Sequence, residues 1–249
     1  MPLWLQAGAW ALLGGGALLA GALVAWFVTV PQRVVATVMA FGAGVLISAL
    51  AFDLVDEAEQ TGGLGATVAG FLVGAVSYLM ADVALARRGA AHRKRSQDQQ
   101  PSEDEQQGSG AAIAVGALMD GVPESVVLGV SLLGGGGVGV PVLAAVFISN
   151  LPEGLSSAAG MKRGGRSARY VFTVWGGIAV LSGVAGALGA LLLEDASPET
   201  IAVITAFAAG AILTMIADTM IPEAFERTHL YAGIVTALGF LTAFVIGRW

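Results

Sequence analysis

The chain has 249 residues, enough for one domain or at most two. It is 56% hydrophobic and only 12% charged, about half the charged share of a soluble protein. A mean hydropathy of +0.78 and 36 glycines leave too few charges to cover a soluble core, so the composition predicts an integral membrane protein. The absence of cysteine excludes disulfides, thiolate metal sites and cysteine nucleophiles. Two histidines leave little room for imidazole catalysis, and a net charge of −6 argues against nucleic acid as a partner.

A bilayer-spanning helix needs roughly 20 mostly apolar residues. Such runs fall at about 3–29, 33–58, 63–87, 109–133, 139–162, 170–193, 199–225 and 229–248, which predicts eight transmembrane helices in a single domain. The breaks carry turn chemistry: Thr29-Val30-Pro31, Thr61-Gly62-Gly63, the run Gly134 to Gly137, and Ala196-Ser197-Pro198. The first run lacks a preceding basic residue and is too long for a signal-peptide core, so it is expected to be a true span.

Residues 88–108 form the one long polar stretch, expected to be a mobile cytoplasmic loop with His92, Arg93, Lys94 and Arg95 in solvent. Lysine and arginine mark the cytoplasmic side. All but one of the twelve fall in alternate loops, at Arg33, at Arg87 to Arg95, at Lys162 to Arg169 and at Arg227; Arg248 is the exception. Both termini are therefore expected outside, in a multi-pass protein of the plasma membrane.

Spans 2 and 7 resemble each other. Ala40-Phe41-Gly42-Ala43-Gly44, ending in Asp56-Glu57-Ala58, matches Ala206-Phe207-Ala208-Ala209-Gly210, ending in Pro222-Glu223-Ala224, at a constant offset of 166 residues. The two spans are expected to run in opposite directions. This is the pattern of an inverted-topology transporter, with spans 1–3 repeated in spans 6–8 around central spans 4 and 5.

Three acids lie near the bilayer midplane: Asp120 and Glu124 in span 4, and Glu153 in span 5. Each costs about 2.5–3.5 kcal/mol at a helix centre, so together they need compensation on the order of 8–10 kcal/mol. A bound cation would supply it. Asp120 and Glu124 are i and i+4, on one helix face. Ser149, Asn150 and Glu153 gather three more oxygen-bearing side chains on span 5. Each glutamate follows a proline, and Pro123 and Pro152 are expected to free the carbonyls of Met119 and Ile148 as further ligands. Asp53, Asp56 and Glu57 form a candidate entrance toward the outer end of span 2, and Asp218 and Glu223, with Asp82 nearby, a candidate exit toward the inner end of span 7.

The Pro-Glu motifs carry a resemblance. Asn150-Leu151-Pro152-Glu153-Gly154, and Asp120-Gly121-Val122-Pro123-Glu124-Ser125, are similar to the span 5 and span 4 patterns of the ZIP (Zrt/Irt-like) metal transporters, with the chain resembling a divergent bacterial-type member of that family. The resemblance implies uptake of a divalent metal by an elevator-like alternating access, spans 1, 4, 5 and 6 moving past the others. It implies a primary metal site of Asp120, Glu124, Ser149 and Glu153, with Asn150 at the margin toward a second metal. The departures are Asp120 for the family's histidine, Gly121 for its asparagine, Ser125 for its glycine, and no acid in span 6.

The resemblance ranks zinc first as the transported metal, then manganese or ferrous iron, with cadmium as a passenger. The all-oxygen donor set leans toward manganese. With a carboxylate in place of histidine, transport is expected to persist below about pH 6. No resident cofactor and no enzymatic activity are expected; the partners are the metal, the lipid bilayer and, as an open alternative, a second copy of the chain. Asp120-Gly121 shares only part of the Gly-x-Gly-Asp signature of intramembrane aspartyl proteases, in the wrong order and without the preceding glycines. The competing reading is a sensor on the same fold, or a carrier for another cation coupled to protons.

Overall fold

A computed structural model of the chain describes residues 1–94, 100–102, 104–133 and 140–248. Among the described residues the fold is all helical. In chain order, α1 is Leu3–Phe27, α2 Gln32–Ala49, α3 Asp56–Leu85, α4 Ser109–Val130, α5 Val140–Arg163, α6 Ala168–Leu193, α7 Pro198–Met215, α8 Ile221–Thr228 and α9 Ala232–Ile246. Seven helical stretches are long and apolar enough to cross a membrane. The protein is a multi-pass membrane protein.

The helices lie within a few residues of the expected apolar runs, but seven membrane-length stretches stand where eight spans were expected. The second membrane-length stretch, Gln32–Ala90, is a single run of 59 residues. Unbroken, it would be about 90 Å long, three times the roughly 30 Å hydrocarbon core. It contains α2, a wide-turn π segment Leu50–Val55, then α3 and a second π segment Ala86–Ala90. The expected turn survives in it as Gly63, whose φ of 80° and ψ of 167° leave the helical region. The Gly134 to Gly137 break and Arg95 lie outside the described residues.

Local chemistry sets the ends. The Ser167 and Ser197 hydroxyls cap α6 and α7 by accepting from the Tyr170 and Thr200 amides, with Pro198 opening α7. Between α8 and α9 the chain turns at His229, the one non-glycine residue described with positive φ (40°). In the tract before α4, the Ser102 amide and hydroxyl donate to Glu105, holding its exposed carboxyl below the usual range.

Packing follows membrane rules. Small residues face inward and large ones outward: α9 buries Ala232, Gly239 and Ala243 while Ile234, Leu238, Leu241 and Val245 stay exposed. Lipid tails are as apolar as leucine, so close backbone approach replaces the hydrophobic drive between helices. Directions follow from the contacts. Gly62 abuts Ala202, Gly70 Val203 and Gly74 Phe207, so α3 and α7 run parallel. Phe41 meets Gly239, and further along Phe52 meets Phe240 and Phe244 and Asp53 shares a pocket with Arg248, so α2 and α9 also run parallel. α1 runs with α5 (Gly14 to Val146, Gly21 to Leu151) and against α6 (Gly8 to Ala187, Gly15 to Ser182).

Among the described residues, two large apolar cores result, with two small satellites. One gathers α2, α7 and the adjoining π segments with Val127 and Leu128 of α4 and Val142, Ala145 and Val146 of α5. The other gathers α1 and α6 with Ala112, Ile113 and Ala117 of α4 and Ala158 and Met161 of α5. Helices α4 and α5 thus belong to both cores, and their polar residues lie between the two.

The tightest glycines give a test. A Cβ on Gly44 would run into the Thr236 carbonyl and one on Gly210 into the Phe71 carbonyl, whereas one on Gly177 meets nothing. Gly44→Ala and Gly210→Ala are each expected to destabilise by about 1–3 kcal/mol, read as a lowered thermal midpoint in detergent. Gly177→Ala should leave the midpoint in place.

Candidate cation site

The five expected ligands all come from α4 and α5, and all are buried: Asp120, Glu124, Ser149, Asn150 and Glu153. Helix α4 runs continuously through Pro123 and α5 through Pro152. The hydroxyl of Ser125 donates to the Gly121 carbonyl at 2.6 Å. The Ile148 carbonyl, whose helical partner Pro152 removes, lies beside Gly42 of α2.

The acids are not left as an open cage. Arg93 and Lys94, expected in solvent, are 2% and 3% exposed and sit among them. The Arg93 guanidinium meets Asp120 in a two-pronged pair, Nε to Oδ2 and Nη2 to Oδ1, both at 2.9 Å. Its Nη1 donates to Asp82 Oδ1 at 2.6 Å, and Nη2 also donates to the Tyr78 hydroxyl at 2.8 Å. That hydroxyl in turn donates to Asp120. Lys94 Nζ lies 2.8 Å from Glu153 Oε1 and 3.4 Å from Asp120 Oδ2.

The correction has a physical cause. Three carboxylates at the centre of a membrane protein require positive charge, and the chain supplies it from its own polar tract. A planar guanidinium matches two carboxylate oxygens at once. Gly116 on α4 leaves the space, since a Cβ there would stand 2.5 Å from Arg93 Cδ. With two cations between the acids, no group of three carboxylates or histidines among the described residues is close enough to hold a metal ion in this arrangement. His92 is exposed, as expected.

The ligands differ in how committed they are. Asp120 is saturated by Arg93, Lys94 and Tyr78. The Ser149 hydroxyl donates to the Val146 carbonyl and the Asn150 amide to the Gly14 carbonyl on α1. Glu124 stands apart: it is 2% exposed, it lies beside Glu153 and Asn150, and neither of its oxygens has a hydrogen bond of ordinary geometry. The counter-charge beside it, Lys94, is shared with Glu153, which pairs with Lys94 through one oxygen and leaves the other without a partner. An acceptor-only pair of this kind, on adjacent helices, is chemically suited to a cation or a shared proton.

The outlying acids fall into two groups. Asp53 is half-buried and Asp56 exposed; with Ser48, Phe52, Phe244 and Arg248 they line a pocket of about 160 Å³. Glu57 is exposed beside them. Asp218 is exposed, but Glu223, expected at the exit, is 3% exposed and lies 3.2 Å from the Ser156 hydroxyl of α5, whose proton goes to the nearer Lys94 carbonyl. It therefore belongs to the buried polar layer. Asp82, expected near the exit, joins that layer, and so does Tyr78, which was not expected as a site residue. Asp82 gave a signal, as an acid in an apolar run; Tyr78 gave none.

No family model matches the chain. It is 27% identical over 210 residues to a protein of Arabidopsis thaliana described as "Putative zinc transporter". The match takes in 83% of this chain but 32% of that protein, so the chain spans about a third of its relative's length.

Arg93→Met would leave the Asp120 carboxylate buried without its main cation. It is expected to cost about 3–5 kcal/mol in reversible unfolding in detergent. Adding Asp120→Leu should recover most of that loss.

Proposed function

We propose that the protein is a ZIP-type divalent-metal transporter in which the metal crosses between α4 and α5. The observation that carries this is Glu124, a fully buried carboxylate with no hydrogen bond of ordinary geometry on either oxygen, next to Glu153 on the facing Pro-Glu helix. The similarity to a protein described as a zinc transporter supports the same reading. Glu124 and Glu153 are the principal ligands. Asp120, Ser149 and Asn150 complete the shell when their present partners release them. Zinc stands first, then manganese or ferrous iron, and oxygen donors accept all three. Cadmium would follow as a passenger.

Gln32–Ala90 crosses twice in this reading, turning at Gly63, which gives eight spans. The four helix pairs whose directions are given above then run as alternating crossings require. The inverted repeat has support at the level of single residues. Phe41 meets Gly239 and Phe207 meets Gly74, while Gly44 abuts α9 and Gly210 abuts α3. Phe41 and Phe207 stand at the 166-residue offset, as do Gly44 and Gly210. The π segments Leu50–Val55 and Ile216–Met220 begin at the same offset. Such segments are frequent at functional sites, and here they carry Asp53 and Asp218. With the basic loops in the cytoplasm, both termini face outward across a bacterial inner membrane.

A mechanism follows from the packing. Helices α1, α4, α5 and α6 pack on one another, and α3 with α7 and α2 with α9 form the opposing surface. Sliding the first group past the second exposes Glu124 and Glu153 to each side in turn. Metal enters past Asp53 and Asp56 and leaves past Glu223. The second reading, a metal sensor, is favoured by one observation, the saturation of Asp120 by Arg93.

Purified protein in liposomes is expected to take up zinc and manganese saturably, and Glu124→Gln to abolish that uptake while the protein stays folded. Binding of metal without flux would favour the sensor. Because the chain has no cysteine, topology can be read by impermeant maleimide on single-cysteine variants. His92→Cys is expected to label from the cytoplasm, and Leu64→Cys and Ser197→Cys from outside.

A further inference from the structure

Arg93 and Lys94 occupy the polar layer as though they were the cargo. Lys94 Nζ stands between Glu153 Oε1 and Asp120 Oδ2, where an incoming metal would meet the carboxylates. The pair is held by a built seat. Arg93 makes five polar contacts, to Asp120 twice, Asp82, Tyr78 and the Ala90 carbonyl, in the space left by Gly116. The backbone is clipped to α5 as well. The Lys94 carbonyl accepts from the Ser156 hydroxyl. The Arg93 carbonyl accepts from Gln100, whose amide also donates to the Ser157 carbonyl.

These contacts bridge the two groups of helices. Tyr78 and Asp82 belong to α3, which packs on α7; Asp120 and Glu153 belong to α4 and α5. Any slide of α4 past α3 must break the Arg93 bridge. The two cations are unequal, however. Lys94 is a point charge on a flexible stem with two ion-pair contacts, whereas Arg93 is a rigid fork with five. A divalent ion competing for Glu153 would therefore dislodge Lys94 first.

We propose that Arg93 and Lys94 form a tethered cation that latches the carrier at rest, and that a divalent metal loads by displacing Lys94 from Glu153, freeing the helices to slide. The proposal rests on the transport reading above and adds its regulation. It makes Arg93 and Lys94 an autoinhibitory element, with the metal as its own release signal. At rest the tethered charges offset the buried acids, so the empty carrier does not have to move with its carboxylates bare.

The test uses the full chain in proteoliposomes with manganese, which binds an introduced thiol less readily than zinc does. Lys94→Gln is expected to lower the half-saturating manganese concentration roughly tenfold, since an opposing charge leaves the ligand shell. Gly116→Ala crowds Arg93 without removing a charge, and should shift it in the same direction by less. A second readout is Ser157→Cys, at a position 1% exposed beneath Gln100. Its labelling by impermeant maleimide should be slow at rest, fast with saturating manganese, and fast without metal when Lys94→Gln is added. If the unmodified protein moves manganese but Lys94→Gln changes neither half-saturation nor labelling, the latch is overturned and the transport reading stands. If Lys94→Gln raises the half-saturating concentration, Lys94 assists loading and the latch is overturned as well. If the unmodified protein neither binds nor moves a divalent ion, the transport reading fails and the competition with it.

Discussion

A guanidinium shared by Asp120, Asp82 and Tyr78 is the interaction on which the polar layer depends. Acids at membrane depth need compensation, and a buried ion pair provides it only when its geometry is good and its remaining hydrogen-bonding groups are satisfied. Arg93 meets both conditions with a two-pronged pair and three further contacts. The consequence reaches beyond one residue. Fixing Arg93 brings Lys94 to Glu153, ties the tract after α3 to α5, and joins the two apolar cores through a single polar seam.

The seam also accounts for the division of the molecule. The closest helix contacts are made by small residues that let backbones touch, while many leucines, valines and phenylalanines cover the outer surface. Contacts of that kind tolerate no insertion, so each group of helices is stiff. The polar layer between them is held by side chains with discrete alternatives. A structure that is stiff within its groups and replaceable at its seam can take two positions without unfolding either group.

Much of this was legible in the sequence. Apolar run length gave the helices, and glycine and proline gave their breaks. Three acids in apolar surroundings marked α4 and α5 as the centre. The expectation failed at Arg93 and Lys94, for a definite reason. Composition assigns a residue to solvent by its neighbours in sequence, and this pair sits in a run of charged and polar residues. The pull that buries it comes from Asp120 and Glu153, distant in sequence and visible only once α3, α4 and α5 are packed. The clue was the missing positive charge itself: three buried acids require cations, and the nearest basic residues follow Asp82 by about one helical turn or more. The burial of Glu223 was illegible for the same reason, since a place at a helix end says nothing about Ser156 opposite it. Gly116 read as one small residue among many, and its role as the space for Arg93 needed the folded backbone.

The central claim is that Glu124 and Glu153 together hold a divalent ion. Electron paramagnetic resonance of manganese titrated into the purified protein, compared with Glu124→Gln, tests it most directly. The account predicts a bound-manganese signal in the unmodified protein that disappears in the variant while its helical signal and thermal midpoint persist. An equal bound signal in a folded Glu124→Gln variant would contradict it.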